Sequence, residues 1–192
     1  TASQVFEVPL ESVTSTMRRN AKAVNFGIIY GISEYGLAKN LKIKPKEASN
    51  YIKKYFETYS DVKTYMNTNV EKAANHGYIT TLLGRKRVIN EIRSSNYNIR
   101  SFGERAAMNM PLQGSSADII KIAMIRVHQK LKEGGFQAKL LLQVHDELLI
   151  DCPQSEVEAV SKILQYEMEN AVSLRVPVTV GVGVGENWFE CK

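Results

Sequence analysis

The segment Arg18-Arg19-x-x-Lys22-x-x-Asn25-Phe26-Gly27-x-x-Tyr30-Gly31 puts cations ahead of aromatics at spacings of three and four residues. On a helix such neighbours share a face, so Arg19, Lys22, Phe26 and Tyr30 line up along one stripe. An arginine can hold two phosphate oxygens at once and a lysine adds a compact charge. A flat ring one or two turns further on can lie against a base. That order of groups suits a nucleoside triphosphate. An ordinary amphipathic helix, with its rings in the core and its cations in water, shows the same pattern.

A second cluster, Gln143-Val144-His145-Asp146-Glu147, lies between two apolar strand-like segments and would hold carboxylates at a hairpin tip. Magnesium is a hard cation that prefers carboxylate and phosphate oxygens, so such a tip suits a metal used in phosphoryl transfer. Solvated hairpin tips also collect polar residues, and this pattern alone does not separate the two readings.

These groups need elements to position them. Capping and periodicity predict a helix from Thr14 or Ser15 to Tyr30, stopped by Gly31. Further helices are expected over Ser33–Leu41, from Pro45 to about Tyr59, and from Ser60 or Asp61 to Gly77. Tyr78–Leu82 and Arg85–Ile89, broken at Gly84, read as a hairpin with a basic tip. A polar connection over Asn90–Asn98 leads to two helices with a bend at Pro111, the second running from Ser115 to Glu133 before Gly134-Gly135. Then come strands Ala138–Val144 and Glu147–Cys152, a helix over Ser155–Val172, and a last strand over the β-branched run Val176–Val184. The result is an α+β chain, a mostly helical lobe followed by a lobe with an antiparallel sheet.

The chain has 192 residues, 44% hydrophobic and 23% charged, a globular balance that argues against disorder. No stretch approaches the roughly 20 apolar residues of a membrane helix, and Thr1–Phe6 lacks a signal-peptide layout, so no membrane partner is expected. Cys152 and Cys191 have no metal-ligand spacing and read as incidental. Charge is uneven. Residues 1–110 hold 17 Lys and Arg against 9 Asp and Glu, net +8, while residues 111–192 hold 8 against 11, net −3. A basic first part is the footprint of a polyanion partner, and a solvated basic face would look alike.

At all eight named positions the Arg18–Gly31 segment resembles the nucleotide-binding helix of family A DNA polymerases, the bacterial DNA polymerase I type. The resemblance implies that Arg18, Arg19 and Lys22 contact the phosphates of the incoming nucleotide. It also implies that Phe26 lies against the sugar and base, that Tyr30 sits near the templating base, and that Tyr30 and Gly31 belong to the DNA-binding set. Phenylalanine at position 26 is associated in that family with poor acceptance of dideoxynucleotides. The Val144–Glu147 run resembles the family's palm motif, implying Asp146 as a metal ligand, Glu147 as a supporting carboxylate and His145 as a contact to the primer end. The catalytic set so implied is Asp146, Glu147 and Lys22, with two Mg2+ ions in the complete enzyme. Gly84-Arg85-Lys86-Arg87 resembles a template-contacting stretch, with Arg85 and Arg87 holding phosphates. Asn109-x-Pro111-x-Gln113 resembles the segment that reaches the duplex minor groove, where Gln113 can check pairing geometry without reading sequence. Val182–Trp188 matches as a structural palm ending.

On this resemblance residues 1–110 correspond to the fingers and 111–192 to the C-terminal part of the palm. The family's first catalytic segment, an Asp followed by Ser-Gln-Ile-Glu, is expected upstream, and neither Ser3-Gln4, Asp118 nor Asp151 replaces it. The expected activity is templated addition of deoxynucleotides to a primer 3′ end, nearly silent in this chain alone because its carboxylate set is incomplete. The expected partners are primer–template DNA, deoxynucleoside triphosphates and the upstream part of the polymerase. Self-association through an unpaired palm edge is also expected. The implied setting is the bacterial cytoplasm, at the nucleoid. A non-catalytic nucleic-acid-binding module is the competing reading.

Overall fold

The computed structural model describes residues 1–191 and divides into two compact units, Thr1–Gln113 and the residues from Gly114 onward. The first unit opens with a short helix α1 (Ala2–Phe6) and a 3-10 turn over Leu10–Ser12. Helix α2 (Ser15–Ile29) begins where Thr14 accepts a hydrogen bond from the Met17 N–H at 3.2 Å. Helix α3 (Glu34–Leu41) is capped in the same way by Ser33 on Gly36. Each cap satisfies one of the amide groups that a helix start leaves without a partner. Pro45 opens α4 (Pro45–Thr58), where its missing N–H costs nothing, and α5 (Ser60–His76) follows.

Two strands, β1 (Tyr78–Thr80) and β2 (Lys86–Val88), pair antiparallel with Ile79 opposite Arg87, a shorter hairpin than the sequence predicts. The expected polar connection is more ordered than anticipated. Asn90–Arg93 form a 3-10 turn, and the Asn96 carboxamide accepts from the Asn98 N–H at 2.9 Å at the start of α6 (Tyr97–Glu133).

Helix α6 runs through Pro111 without a break, which corrects the expectation of two helices. A proline inside a helix removes one backbone bond and crowds the preceding turn, at about 3 kcal/mol. Ala107 and Met110, on that preceding turn, are buried in an apolar cluster with Ala73, Ile79, Ile89 and Ile92, and their packing offsets the loss. A separate cluster joins α2 to α5 through Val24, Ile28, Leu37, Ala48, Tyr55 and Met66.

In the second unit, β3 (Lys139–Val144) and β4 (Glu147–Asp151) form a two-stranded antiparallel sheet, with an irregularity between Leu140 and Leu142. After a 3-10 turn at Gln154–Glu156, helix α7 (Val157–Glu169) packs Val160 against Val127, Leu131 and Ala138. Helix α7 is shorter than the predicted Ser155–Val172. The predicted last strand is absent: among the described residues, 176–184 pair with no strand. β-Branched residues favour a pleated surface only when a neighbouring strand supplies the ladder, and Val176 and Val184 here lie exposed. No helix of the described residues is long and apolar enough to cross a membrane.

Candidate nucleotide and nucleic-acid site

Exposure along α2 decides between the two readings of its aromatic stripe. Val24 and Ile28 are 0% and 2% exposed and belong to the core, whereas Phe26 and Tyr30 remain 47% and 44% exposed. The rings are therefore not core residues. They stack on each other, centroids 6.4 Å apart and 18° from parallel, and the Lys22 ammonium lies 5.8 Å from the centre of the Phe26 ring. Arg18 and Arg19 are exposed in the early turns, and the first turn carries no acidic residue. Cations near the positive end of a helix repel its dipole, so an anion seated there relieves a local excess of positive charge.

Two contacts fix this face. The Tyr55 hydroxyl, 3% exposed as a residue, donates to the Asn25 side-chain oxygen at 2.7 Å and locks α2 to α4 beside Phe26. At the other end, Gly31 takes φ +69°, and a Cβ there would lie 2.7 Å from the Arg105 side chain. Only glycine permits that turn at that separation. Gln113, predicted to reach the minor groove, donates from Nε2 to the Tyr30 hydroxyl at 3.2 Å. Two residues 83 positions apart in sequence are thus brought into contact. Asn109 is half-buried on α6.

Arg85, Lys86 and Arg87 stand exposed on the β1–β2 hairpin, as its basic tip predicted. Lys86 lies 4.7 Å from the Tyr78 ring centre. The Arg85 N–H donates to the Thr81 hydroxyl at 3.0 Å, which closes the loop.

In the second unit the sheet turns through His145 and Asp146, with Val144 opposite Glu147. His145 holds φ +54°, a left-handed conformation that costs a non-glycine residue about 1 kcal/mol or more, and such outliers collect at functional sites. The Gln143 amide donates to the His145 carbonyl at 2.6 Å and braces the turn. Asp146 and Glu147 are both exposed, and the Trp188 indole N–H donates to Glu147 Oε2 at 3.3 Å. Among the described residues no three His, Cys, Asp or Glu side chains converge as a metal cage. The donors fit magnesium in kind, as hard oxygens on a braced tip, and supply part of the octahedral set that ion requires. Asp118, read as an ordinary polar helix residue, is 4% exposed.

Sequence reasoning passed over Tyr55, Arg105 and Trp188. The first two carry no motif of their own, and Trp188 lay inside a run read as structural.

Residues 1–190 match the sequence profile described as DNA polymerase family A. DNA polymerase I of Caldicellulosiruptor bescii is 55% identical over the whole of this chain, and that of Bacillus subtilis 53%. This chain spans only 23% and 22% of those relatives, less than a quarter of their length. A solved structure described as the POL domain of Pol1 from M. smegmatis in complex with DNA primer-template and dNTP superposes with a TM-score of 0.95 at 44% identity. It covers 99% of this chain and 34% of that one. With the exposed cation and ring face of α2 and the carboxylate hairpin both in place, a match over nearly every residue assigns this chain to DNA polymerase family A.

Proposed function

We propose that this chain supplies the nucleotide-binding and part of the catalytic surface of a template-directed DNA polymerase. The observation that carries this reading is α2 itself, where rings that a core would have buried stand half exposed, Phe26 with Lys22 beside it, on the helix whose early turns expose Arg18 and Arg19. Arg18, Arg19 and Lys22 hold the triphosphate, Phe26 lies against sugar and base, and Tyr30 with Gly31 borders the templating base. Arg85 and Arg87 hold template phosphates without reading sequence. Gln113 and Asn109 address minor-groove acceptors, which occupy similar positions in every base pair. In these roles the first unit acts as fingers, and the residues from Gly114 on act as part of the palm. The M. smegmatis relative was solved with primer-template and dNTP, which supports the same partners here.

The reaction joins the primer 3′ oxygen to the α-phosphorus of the nucleotide and breaks the bond to the bridging oxygen, releasing pyrophosphate. Asp146 would hold magnesium with Glu147 in support. When bound, that ion would draw charge from the phosphoryl oxygens and favour the deprotonated primer oxygen. His145, fixed by the turn, borders the primer end. Lys22 meets charge developing on the leaving phosphates.

The test pairs nucleotide binding with extension. A dNTP titrated into the 15N-labelled chain should shift α2 amides, and Lys22→Ala should weaken that binding roughly tenfold, about 1.4 kcal/mol for one charge-assisted contact. Shifts scattered outside α2, or an unchanged affinity in Lys22→Ala, would overturn the assignment. Primer extension compared with Asp146→Asn then addresses the carboxylates. Extension that disappears in the variant means these residues complete a metal set. Salt-sensitive duplex binding without extension in either protein means that catalysis takes carboxylates in addition to these.

A further inference from the structure

The run Val182–Trp188 has no place in the chemistry above, yet its glycines are under tight constraint. A Cβ on Gly183 would lie 2.0 Å from the Cys191 carbonyl oxygen, and one on Gly185 would lie 2.5 Å from the Glu190 Cβ. Any larger residue would force the two stretches apart. The turn they permit is closed by Asn187 Nδ2 donating to Glu190 Oε1 at 2.6 Å and by the Glu186 N–H donating to Glu190 Oε2 at 3.0 Å. The Glu190 N–H also donates to the Asn187 carbonyl at 3.1 Å. Trp188 stands inside this clamp, and its indole N–H reaches Glu147.

We propose that Trp188 is a positioning residue: the glycine-permitted turn presents its indole to Glu147 and holds that carboxylate in one orientation, next to Asp146, for a divalent cation. The inference rests on the reading of Asp146 and Glu147 as metal carboxylates. Glu147 is exposed at the start of β4, and a free glutamate side chain there would spread over many rotamers. An indole restrains it without competing for the cation. It is a neutral, donor-only group that occupies one oxygen and leaves the full negative charge in place, which Lys or Arg would partly cancel. The bond uses Oε2 and leaves Oε1 outside the contact with the indole.

The chain contains one tryptophan, so its NMR spectrum holds a single indole N–H resonance that reports this contact directly. In Glu147→Ala that resonance should move and exchange faster with water, while Glu147→Gln, which keeps an acceptor oxygen, should retain slow exchange. A resonance and exchange rate indifferent to Glu147→Ala would overturn the contact and the proposal together. Manganese binding, followed by the paramagnetic resonance of the free ion, supplies the second arm. Trp188→Phe should raise the Mn2+ Kd roughly three- to tenfold, the effect of returning a side chain with three χ angles to its rotamers. Its amide spectrum establishes that the variant is folded. Equal Mn2+ affinity in folded Trp188→Phe and the parent would overturn the positioning role and leave the metal reading standing. No Mn2+ binding by the parent would overturn the metal reading, and this inference with it.

Discussion

Replacing Tyr55 by phenylalanine deletes one oxygen from the first unit and leaves the ring where it is. The ring contacts to Phe56 and Tyr59, at 5.8 and 5.0 Å between centroids, should persist, so the change isolates the 2.7 Å bond to Asn25. Burial, with Tyr59 beside it, raises the Tyr55 phenol above its ordinary range, so the hydroxyl stays a donor through neutral and mildly basic pH. A neutral hydrogen bond contributes about 1 kcal/mol net, and an acceptor left partly shielded from water adds up to about as much again. The expected loss is therefore about 1–2 kcal/mol. With a urea slope of about 1.5 kcal/mol per molar, the midpoint falls by about 1 M. Far-UV circular dichroism follows the transition, because the first unit is mostly helical. Tyr51→Phe is the internal control: its hydroxyl meets Glu47 at 3.2 Å at an exposed site, and its loss should cost under about 0.5 kcal/mol. In an Asn25→Ala background, Tyr55→Phe should add little, since the two act as one bond. Equal midpoint shifts for the two tyrosines, or additive losses in the double variant, would refute the claim that this bond anchors α2.

Gly31→Ala should lower the melting temperature of the chain by several degrees. It combines a left-handed backbone with a Cβ 2.7 Å from Arg105, at about 2 kcal/mol or more. Arg87→Ala should reduce the slope of log binding constant against log salt for primer–template DNA by about 0.9, as expected when one phosphate is no longer neutralised, and should do so alike for all sequences. A slope that stays at the parent value would remove Arg87 from the interface. The Glu169 carboxyl is held below its ordinary range, first by the Val180 N–H it accepts and then by Gln165. A depressed carboxylate contributes stability that is complete above its unfolded value and is lost as pH falls through the folded one. Hydrogen exchange at the Val180 amide should therefore quicken below the ordinary carboxylate range, after correction for intrinsic exchange, and Glu169→Gln should flatten that dependence.

Much of the first unit was legible because its helix ends are local chemistry. Thr14 and Ser33 cap the amides three residues on, as their side chains favour, and Pro45 opens the next helix. The α2 motif was equally legible as a list of residues, but which face it exposes was not. That depends on Leu37, Tyr55 and Met66 arriving from three other helices to bury Val24 and Ile28 and so leave Phe26 and Tyr30 outside. The contact between Gln113 and Tyr30 is likewise a product of folding, with no spacing in the chain to announce it. Pro111 misled for the opposite reason. Its local effect is real, and the burial of Ala107 and Met110 outweighs it.

The two strand-like segments of the second unit separate propensity from pairing. Lys139–Val144 becomes a strand because Glu147–Asp151 follows within two residues, so closing the loop costs little entropy and the ladder forms at once. Leu148 and Ile150 then pack with Val127 and Val160, and burial fixes the register. Residues 176–184 are at least as rich in β-branched side chains, yet no strand among the described residues lies beside them. Their order comes from elsewhere: the Val180 N–H is taken by Glu169, and Gly183 closes against Cys191. A run of valines thus specifies a chain able to enter a sheet, and the partner decides whether it does. The same distinction applies to the carboxylates. His145-Asp146-Glu147 was readable as a tip because a hairpin is a local structure, whereas the Trp188 indole that restrains Glu147 comes from 41 residues away and is delivered by a turn only glycines allow.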